Sequence, residues 1–327
     1  MTPVRWGVLG TGGIARAFAT ALMDTPGAVL AAVGSRSMDS AEAFASSFGG
    51  PTCYGTYQAL ADAPDIDIIY IGTPHPLHAQ NALLALDGGK AVLCEKPFTM
   101  NLREAEQVVA RAREKKLFLM EAMWTRFMPA LAEVRRIIDS GLIGVVGQVH
   151  ADFGFAATRD PEHRVNKREL GGGALLDLGI YPLSISCALL GPVASVQAQA
   201  VLSEGGVDLS TGWTMKHASG AVSMCSCSLR ERTPCELTVF GTLGSVRMDT
   251  MFHLAKTVTV TLGDCIKRTI DTPFLGNGYV HEAIEAGRCL RAGLTESAHM
   301  QLDDTLALMR LLDNIRIKIG VRYPCDE

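Results

Sequence analysis

Through the first 120 residues, short apolar runs without a period alternate with amphipathic stretches. The runs at 4–9, 29–33, 66–71, 91–94 and 117–120 predict strands, and the stretches at 14–23, 39–48, 77–86 and 102–115 predict helices. Apolar runs with no polar alternation suit strands buried on both faces. Strand and helix repeated at this spacing predict parallel βαβ units in a doubly wound sheet.

The pattern changes after about residue 125. A helix is expected over 131–140 and an extended segment over 145–155; Gly171-Gly172-Gly173 then opens an apolar, helix-permissive stretch over 174–190. From 193 to 270 come strands separated by Gly, Ser and Asp, with β-branched runs such as 258–262. Helices at about 280–292 and 302–318 close the chain. The expected fold is therefore an α/β Rossmann-type domain over 1–122, followed by an α+β domain over 123–327 with a large, mostly antiparallel open sheet. The C-terminal helix is free to pack back on the first domain.

Composition narrows the class without changing this outline. A length of 327 residues suits two domains, and 48% hydrophobic with 20% charged residues is an ordinary globular mixture. The net charge of −4 and the absence of a basic stripe exclude nucleic acid as a partner class. No uniformly apolar run approaches the ~18 residues of a membrane span, and no charged-then-apolar leader stands at the N-terminus. A cytoplasmic location is expected, with the nine cysteines as reduced thiols. Cys225 and Cys227 fit alternate positions on one strand face, and no metal site is expected.

The candidate chemistry gathers at the predicted carboxyl ends of the strands, where open α/β sheets bind ligands. Gly10-Thr11-Gly12-Gly13-Ile14-Ala15 fits G-x-G-x-x-A directly after a strand, the pattern that lets backbone approach a pyrophosphate at a helix N-terminus. The second strand ends in Ser35-Arg36, with no carboxylate to hold a ribose 2′-hydroxyl. A guanidinium there can pair with a 2′-phosphate, so the expected cofactor is NADP; an exposed arginine capping nothing is the alternative. Thr73 and Pro74 follow the third strand and are expected to line the nicotinamide path, with His75 and His78 open to capping or catalytic roles. Glu95-Lys96-Pro97 ends the fourth strand abruptly, because Pro97 cannot continue a ladder. Glu95, Lys96 and His78 are expected at the cofactor, and a solvated surface pair is the bland reading of Glu95 and Lys96.

Taken together, G-x-G-x-x-A, T-P-x-x-x-H and E-K-P at these intervals resemble the Gfo/Idh/MocA oxidoreductases. The resemblance extends through Glu121-Ala122-Met123-Trp124-Thr125-Arg126-Phe127 and from Gly171 to Tyr181. It covers essentially the whole chain. It implies a Rossmann domain, a second domain whose open sheet makes a homodimer interface, and Lys96 as the active-site lysine, often with a cis bond to Pro97. A common family pattern places a histidine where this chain has Tyr181, and the branch containing dihydrodiol and D-xylose dehydrogenases shares the tyrosine.

Asp177 and Tyr181 are four apart in a helical stretch and are expected on one face. A tyrosine acting as base needs its pKa of about 10 lowered, and a nearby ammonium such as Lys96 would do so. Asp177 would keep Lys96 charged or orient substrate, while a buried phenol satisfied by backbone is the alternative for Tyr181. Trp124 and Arg126 are expected at the cofactor. Trp124, His75, Phe153, Phe155 and Tyr279 are expected at the substrate pocket, with simple packing an equal reading for Trp124. His163 and Arg164 read as a solvated loop, with a lid or substrate loop as the alternative. The function implied is NADP-dependent hydride transfer on a cyclic diol or aldose-like sugar. Reduction of a sugar-derived carbonyl, or NADP binding without turnover, are the alternatives.

Overall fold

The computed structural model describes residues 2–263 and 266–326, which form two compact units, 1–124 with 275–309 and 125–274 with 310–327. In the first unit the order is β1 (Val4–Leu9), α1 (Gly13–Met23), β2 (Ala28–Gly34), α2 (Met38–Ala45), β3 (Thr52–Tyr54), α3 (Tyr57–Ala61), β4 (Ile68–Ile71), α4 (His78–Asp87), β5 (Ala91–Glu95), α5 (Leu102–Lys115) and β6 (Leu119–Ala122). All six strands are parallel, in the order β3-β2-β1-β4-β5-β6. Every residue of β4 and β5 is buried, which is why their sequences lack alternation. The order reverses direction between β1 and β4, so their carboxyl ends flank the switch point.

Two short elements escaped the sequence pattern. Strand β3 has three residues on the sheet edge, and α3 has five, started by Thr56 Oγ1 accepting from the Ala59 N–H at 3.1 Å. Neither is long enough to show a period. The strand expected over 117–120 lies two residues later, because Lys116 ends α5 in the left-handed region at φ 54° and the next residues serve as connector.

The second unit contains α6 (Pro129–Asp139), β7 (Val146–Gly154), α7 (Ile180–Leu190), β8 (Val193–Leu202), β9 (Asp208–His217), β10 (Val222–Ser228), β11 (Leu237–Gly241), β12 (Gly244–Met248), β13 (Thr257–Leu262) and β14 (Ile266–Asp271). They form one eight-stranded sheet, β14-β13-β12-β11-β7-β10-β9-β8, antiparallel except where β10 joins β7. One face is covered by α7 and the turn before it. Cys225, Cys227, Trp213 and Met215 point to that buried side, placing both cysteines at alternate positions of one strand face as the sequence predicted. The segment Arg168–Leu190 has the length and hydropathy of a membrane span, yet 83% of its apolar window is buried inside the protein. It is the core helix of this unit.

The chain then continues into α8 (Val280–Arg291) and α9 (Leu302–Ile319). A boundary at 122–123 was expected, with the C-terminal helix free to pack back on the first domain; the stretch that groups with the first unit is 275–309. The cause is the apolar face of α8, where Val280, Ala283, Ala286 and Cys289 are buried and the helix packs against α1. Asn277 adds a bond from Nδ2 to the Ala17 carbonyl at 2.8 Å.

Candidate active site

The glycine loop between β1 and α1 is shaped by two different constraints. Gly10 has φ 108°, and a Cβ there would lie 2.9 Å from the Gly72 carbonyl oxygen, so this position needs glycine for the crossing of two loops. A Cβ on Gly12 or Gly13 would meet no protein atom within 4 Å. Packing does not demand those glycines; they leave backbone open to a ligand. Helix α1 starts at Gly13 with no side-chain cap and no acidic residue in its first turn, leaving its N-terminal amides available to an anion.

Beside this loop lies a cavity of about 500 Å³ lined by Gly10, Thr11, Gly12, Ser35, Arg36, Ser37, Ser40, Tyr57, Gly72, Thr73 and Pro74. Ser35 is buried and Arg36 exposed at its rim, and no carboxylate is among the lining residues. The donor set suits a dinucleotide bearing a 2′-phosphate: hydroxyls and a guanidinium stand where an acidic residue would repel it. Tyr57 and Ser40 were not foreseen. Tyr57 lies on the unrecognised α3, and burial pushes its phenol up while the nearby Arg36 charge pulls it back.

The turn after β5 is tied at successive residues. Lys96 N–H donates to Glu95 Oε2 at 3.1 Å, His78 Nδ1 lies 2.8 Å from the Pro97 carbonyl, and Phe98 N–H donates to Glu121 Oε1 at 3.2 Å. The Lys96–Pro97 peptide is cis. Lys96 is half-buried, while Glu95 is buried and accepts from Tyr70 O–H at 2.6 Å. Burial raises the Glu95 carboxyl to about 7, against the lowering effect of the Tyr70 bond and the Lys96 charge.

Two expected cofactor contacts therefore change role. His78 is completely buried, with Nε2 also 2.8 Å from the Thr73 carbonyl, so it clasps the loops after β4 and β5. Burial lowers its pKa against the raising effect of both carbonyls. Glu95 likewise spends its carboxylate on Tyr70 and Lys96. Sequence position placed both residues at the right edge, but only the fold shows them turned inward. Thr73 is buried and accepts from Asn81 Nδ2 at 3.1 Å, and Pro74 is exposed on the cavity wall. His75 is buried with its ring 5.7 Å from that of His78. Trp124 and Tyr279, far apart in sequence, meet with ring centroids 4.7 Å apart.

In the second unit, the three glycines build the approach to Tyr181. Gly171 adopts φ 69° and Gly173 φ 114°; a Cβ on Gly172 would strike three carbonyl oxygens, the nearest that of Val165 at 2.6 Å. Asp208 fills the space at Gly173, accepting from the Leu175 N–H at 2.8 Å and from Thr211 O–H at 2.6 Å. The helix then opens with a π turn, Leu175–Gly179, before α7. Such wide turns occur often at functional sites. Gly179 lets this turn sit on the sheet, since a Cβ would lie 2.9 Å from Cys227 Sγ.

Tyr181 is 6% exposed and sits in an aromatic nest, 5.1 Å from Phe153 and 6.1 Å from His253 by ring centroids. His253 stacks on Phe153 at 4.5 Å and carried no sequence signal, being one histidine in an irregular segment. Phe155 departs from expectation. Strand β7 ends at Gly154, and Phe155 is 38% exposed whereas Phe153 is buried, so alternation no longer pairs them. Asp177 is paired with Arg164 Nη2 at 3.1 Å, so the loop arginine, still 47% exposed, is anchored at its tip. Arg126 is buried and donates from Nε to Ser184 Oγ at 3.0 Å, one turn beyond Tyr181. Its guanidinium braces α7, a role the cofactor expectation did not include.

A dinucleotide-binding sheet with an amide-lined glycine loop, joined to a separate domain carrying a buried tyrosine, defines a nucleotide-dependent oxidoreductase. Family models agree over both parts: residues 4–123 match an oxidoreductase family with an NAD-binding Rossmann fold, and 131–247 match the GFO/IDH/MocA C-terminal domain. The chain is 36% identical to trans-1,2-dihydrobenzene-1,2-diol dehydrogenase from Danio rerio, covering 99% of both chains. It is 33% identical to D-xylose 1-dehydrogenase (NADP(+)) from Hypocrea jecorina, covering 98% of this chain and 93% of that one. A 3-ketoreductase from Actinomadura kijaniata, solved with NADP and TDP-benzene, superimposes with a TM-score of 0.87 at 27% identity over 97% of this chain and 98% of that one. An aldose-aldose oxidoreductase from Caulobacter crescentus gives 0.89 at 26% identity with the same coverage. The chain belongs to the Gfo/Idh/MocA oxidoreductase family.

Proposed function

We propose that this protein transfers a hydride between a CH–OH group of a cyclic diol or aldose-like sugar and NADP. The observation that carries the reading is the full-length likeness to dihydrodiol and xylose dehydrogenases, in a chain whose nucleotide cavity is lined by Arg36 and no carboxylate. Gly10, Thr11, Gly12, Gly13 and Ile14 hold the pyrophosphate, Ser35 and Arg36 the 2′-phosphate, and Thr73 and Pro74 border the path beyond. NADP, when bound, supplies the carbon that accepts the hydride.

The protein's own residues manage the oxygen. Lys96 holds the substrate hydroxyl oxygen as an ammonium donor and orients it. Tyr181 takes the hydroxyl proton as the carbon–hydrogen bond breaks and the C=O forms. Asp177 and Arg164 fix the turn that carries Tyr181. Trp124, Tyr279, His75 and Phe153 wall the substrate. The same groups serve the reverse direction, in which Tyr181 returns the proton, and the likeness to a ketoreductase favours considering it.

Tyr181→Phe removes only the hydroxyl. Turnover on trans-dihydrodiols or D-xylose is expected to fall at least ~100-fold, with NADPH binding by fluorescence unchanged. Near-wild-type turnover would refute the assignment. We further infer a homodimer through the uncovered face of the eight-stranded sheet, where a groove of about 990 Å³ includes Gln197, Thr214, Met224, Thr238 and Phe240. A cytoplasmic location is supported by eight described cysteines that are all free thiols.

A further inference from the structure

Helix α8 delivers a second carboxyl group to the neighbourhood of Glu95. Glu282 has 0% exposure, and neither of its carboxyl oxygens has a hydrogen-bond partner among the described residues. An ionised carboxylate without partners is among the costliest groups to bury, so such a group neutralises. Glu95 stands at 4% exposure with Tyr70 O–H at 2.6 Å on Oε1 and the Lys96 N–H at 3.1 Å on Oε2.

Other titratable groups share this region: Tyr70 from β4, Cys94 from β5, Tyr279 just before α8, and Lys96 from the turn after β5. Two carboxyls in one dry space oppose each other's ionisation and titrate as a unit. Their partners differ. Glu95 has two donors and an adjacent ammonium, while Glu282 has none of these, so the charge belongs on Glu95 and the retained proton on Glu282. The direction of the Glu282 pKa agrees, raised well above the ordinary value by burial first and then by Glu95.

We propose that Glu95 and Glu282 form a coupled carboxyl pair in which Glu282, buried without a donor, keeps its proton as the neutral acid, and Glu95, with two donors, is the member that ionises.

Proton-linked unfolding tests the pair without reference to activity. A Glu282 protonated only in the folded protein is released on unfolding above its ordinary value of 4.5, so it raises the unfolding constant tenfold per pH unit. From about pH 5.5 to 7, the signed slope of log of the urea-unfolding constant against pH should be lower by one proton in Glu282→Gln, which keeps the shape. Equal slopes would overturn the proposal. Should Glu282→Gln fail to fold, Glu282→Leu gives the same readout without a polar group, and an unchanged slope there is equally fatal. In Glu95→Gln the proton on Glu282 should leave at lower pH, and an unmoved end-point would show that the two carboxyls are not coupled.

Discussion

Arg36 stands exposed at the mouth of a cavity otherwise furnished with hydroxyls and backbone amides. A guanidinium meeting a phosphate forms charge-assisted bonds worth about 1.5–3 kcal/mol, so Arg36→Ala should raise KM for NADP at least tenfold. KM for NAD, which lacks the 2′-phosphate, should stay within about twofold; an equal loss for both cofactors would remove Arg36 from this role. The expectation could be read from sequence because it rests on one residue type at one strand end. The roles of Glu95 and His78 were not, because each sits at the correct edge and only three-dimensional contacts show its functional atoms turned inward. His253 was less legible still, since its partners Phe153 and Tyr181 come from distant segments.

At the scale of elements, the segment from Gly171 to Tyr181 shows how motif and geometry diverge. Asp177 and Tyr181 share a helix as their spacing predicted, but the first turn is π rather than α, an i→i+5 pattern that apolar periodicity does not announce. Its entry depends on Gly173, whose positive φ and contact with Asp208 leave no room for a side chain. Gly173→Ala should therefore cost at least ~2 kcal/mol, seen as a lower urea midpoint with unchanged m. A midpoint matching wild type would show that the turn accommodates a Cβ. The central strands and long helices of both units were predicted within a few residues, because burial on both faces or along one stripe leaves its period in the sequence. Elements of three to five residues, such as β3 and α3, are too short to leave one.

For the whole molecule, the eight-stranded sheet buries one face under α7 and leaves Met224 and Phe240 each 38% exposed on the other. Aromatic and Met side chains on a broad face fit a subunit interface. Sedimentation equilibrium should find a dimer for the wild-type protein and a monomer for Phe240→Glu, with at least ~100-fold weaker association. A wild-type monomer at micromolar concentration would exclude that interface. The second sheet was expected from its β-branched runs, and a return of the C-terminal helix to the first domain was allowed for, but not one that begins at 275 and takes in α8, since an apolar helix face does not name its partner.

That return has a consequence for how the protein is made. The chain leaves the ribosome from its N-terminus, and domains generally fold as their sequence emerges. Here the nucleotide-binding unit lacks α8 until nearly 300 residues have been synthesised, so α1 waits with an apolar flank and the buried acid at Glu282 has no place yet. The loop around Lys96 is translated early, but the unit that holds it closes only near the end of synthesis.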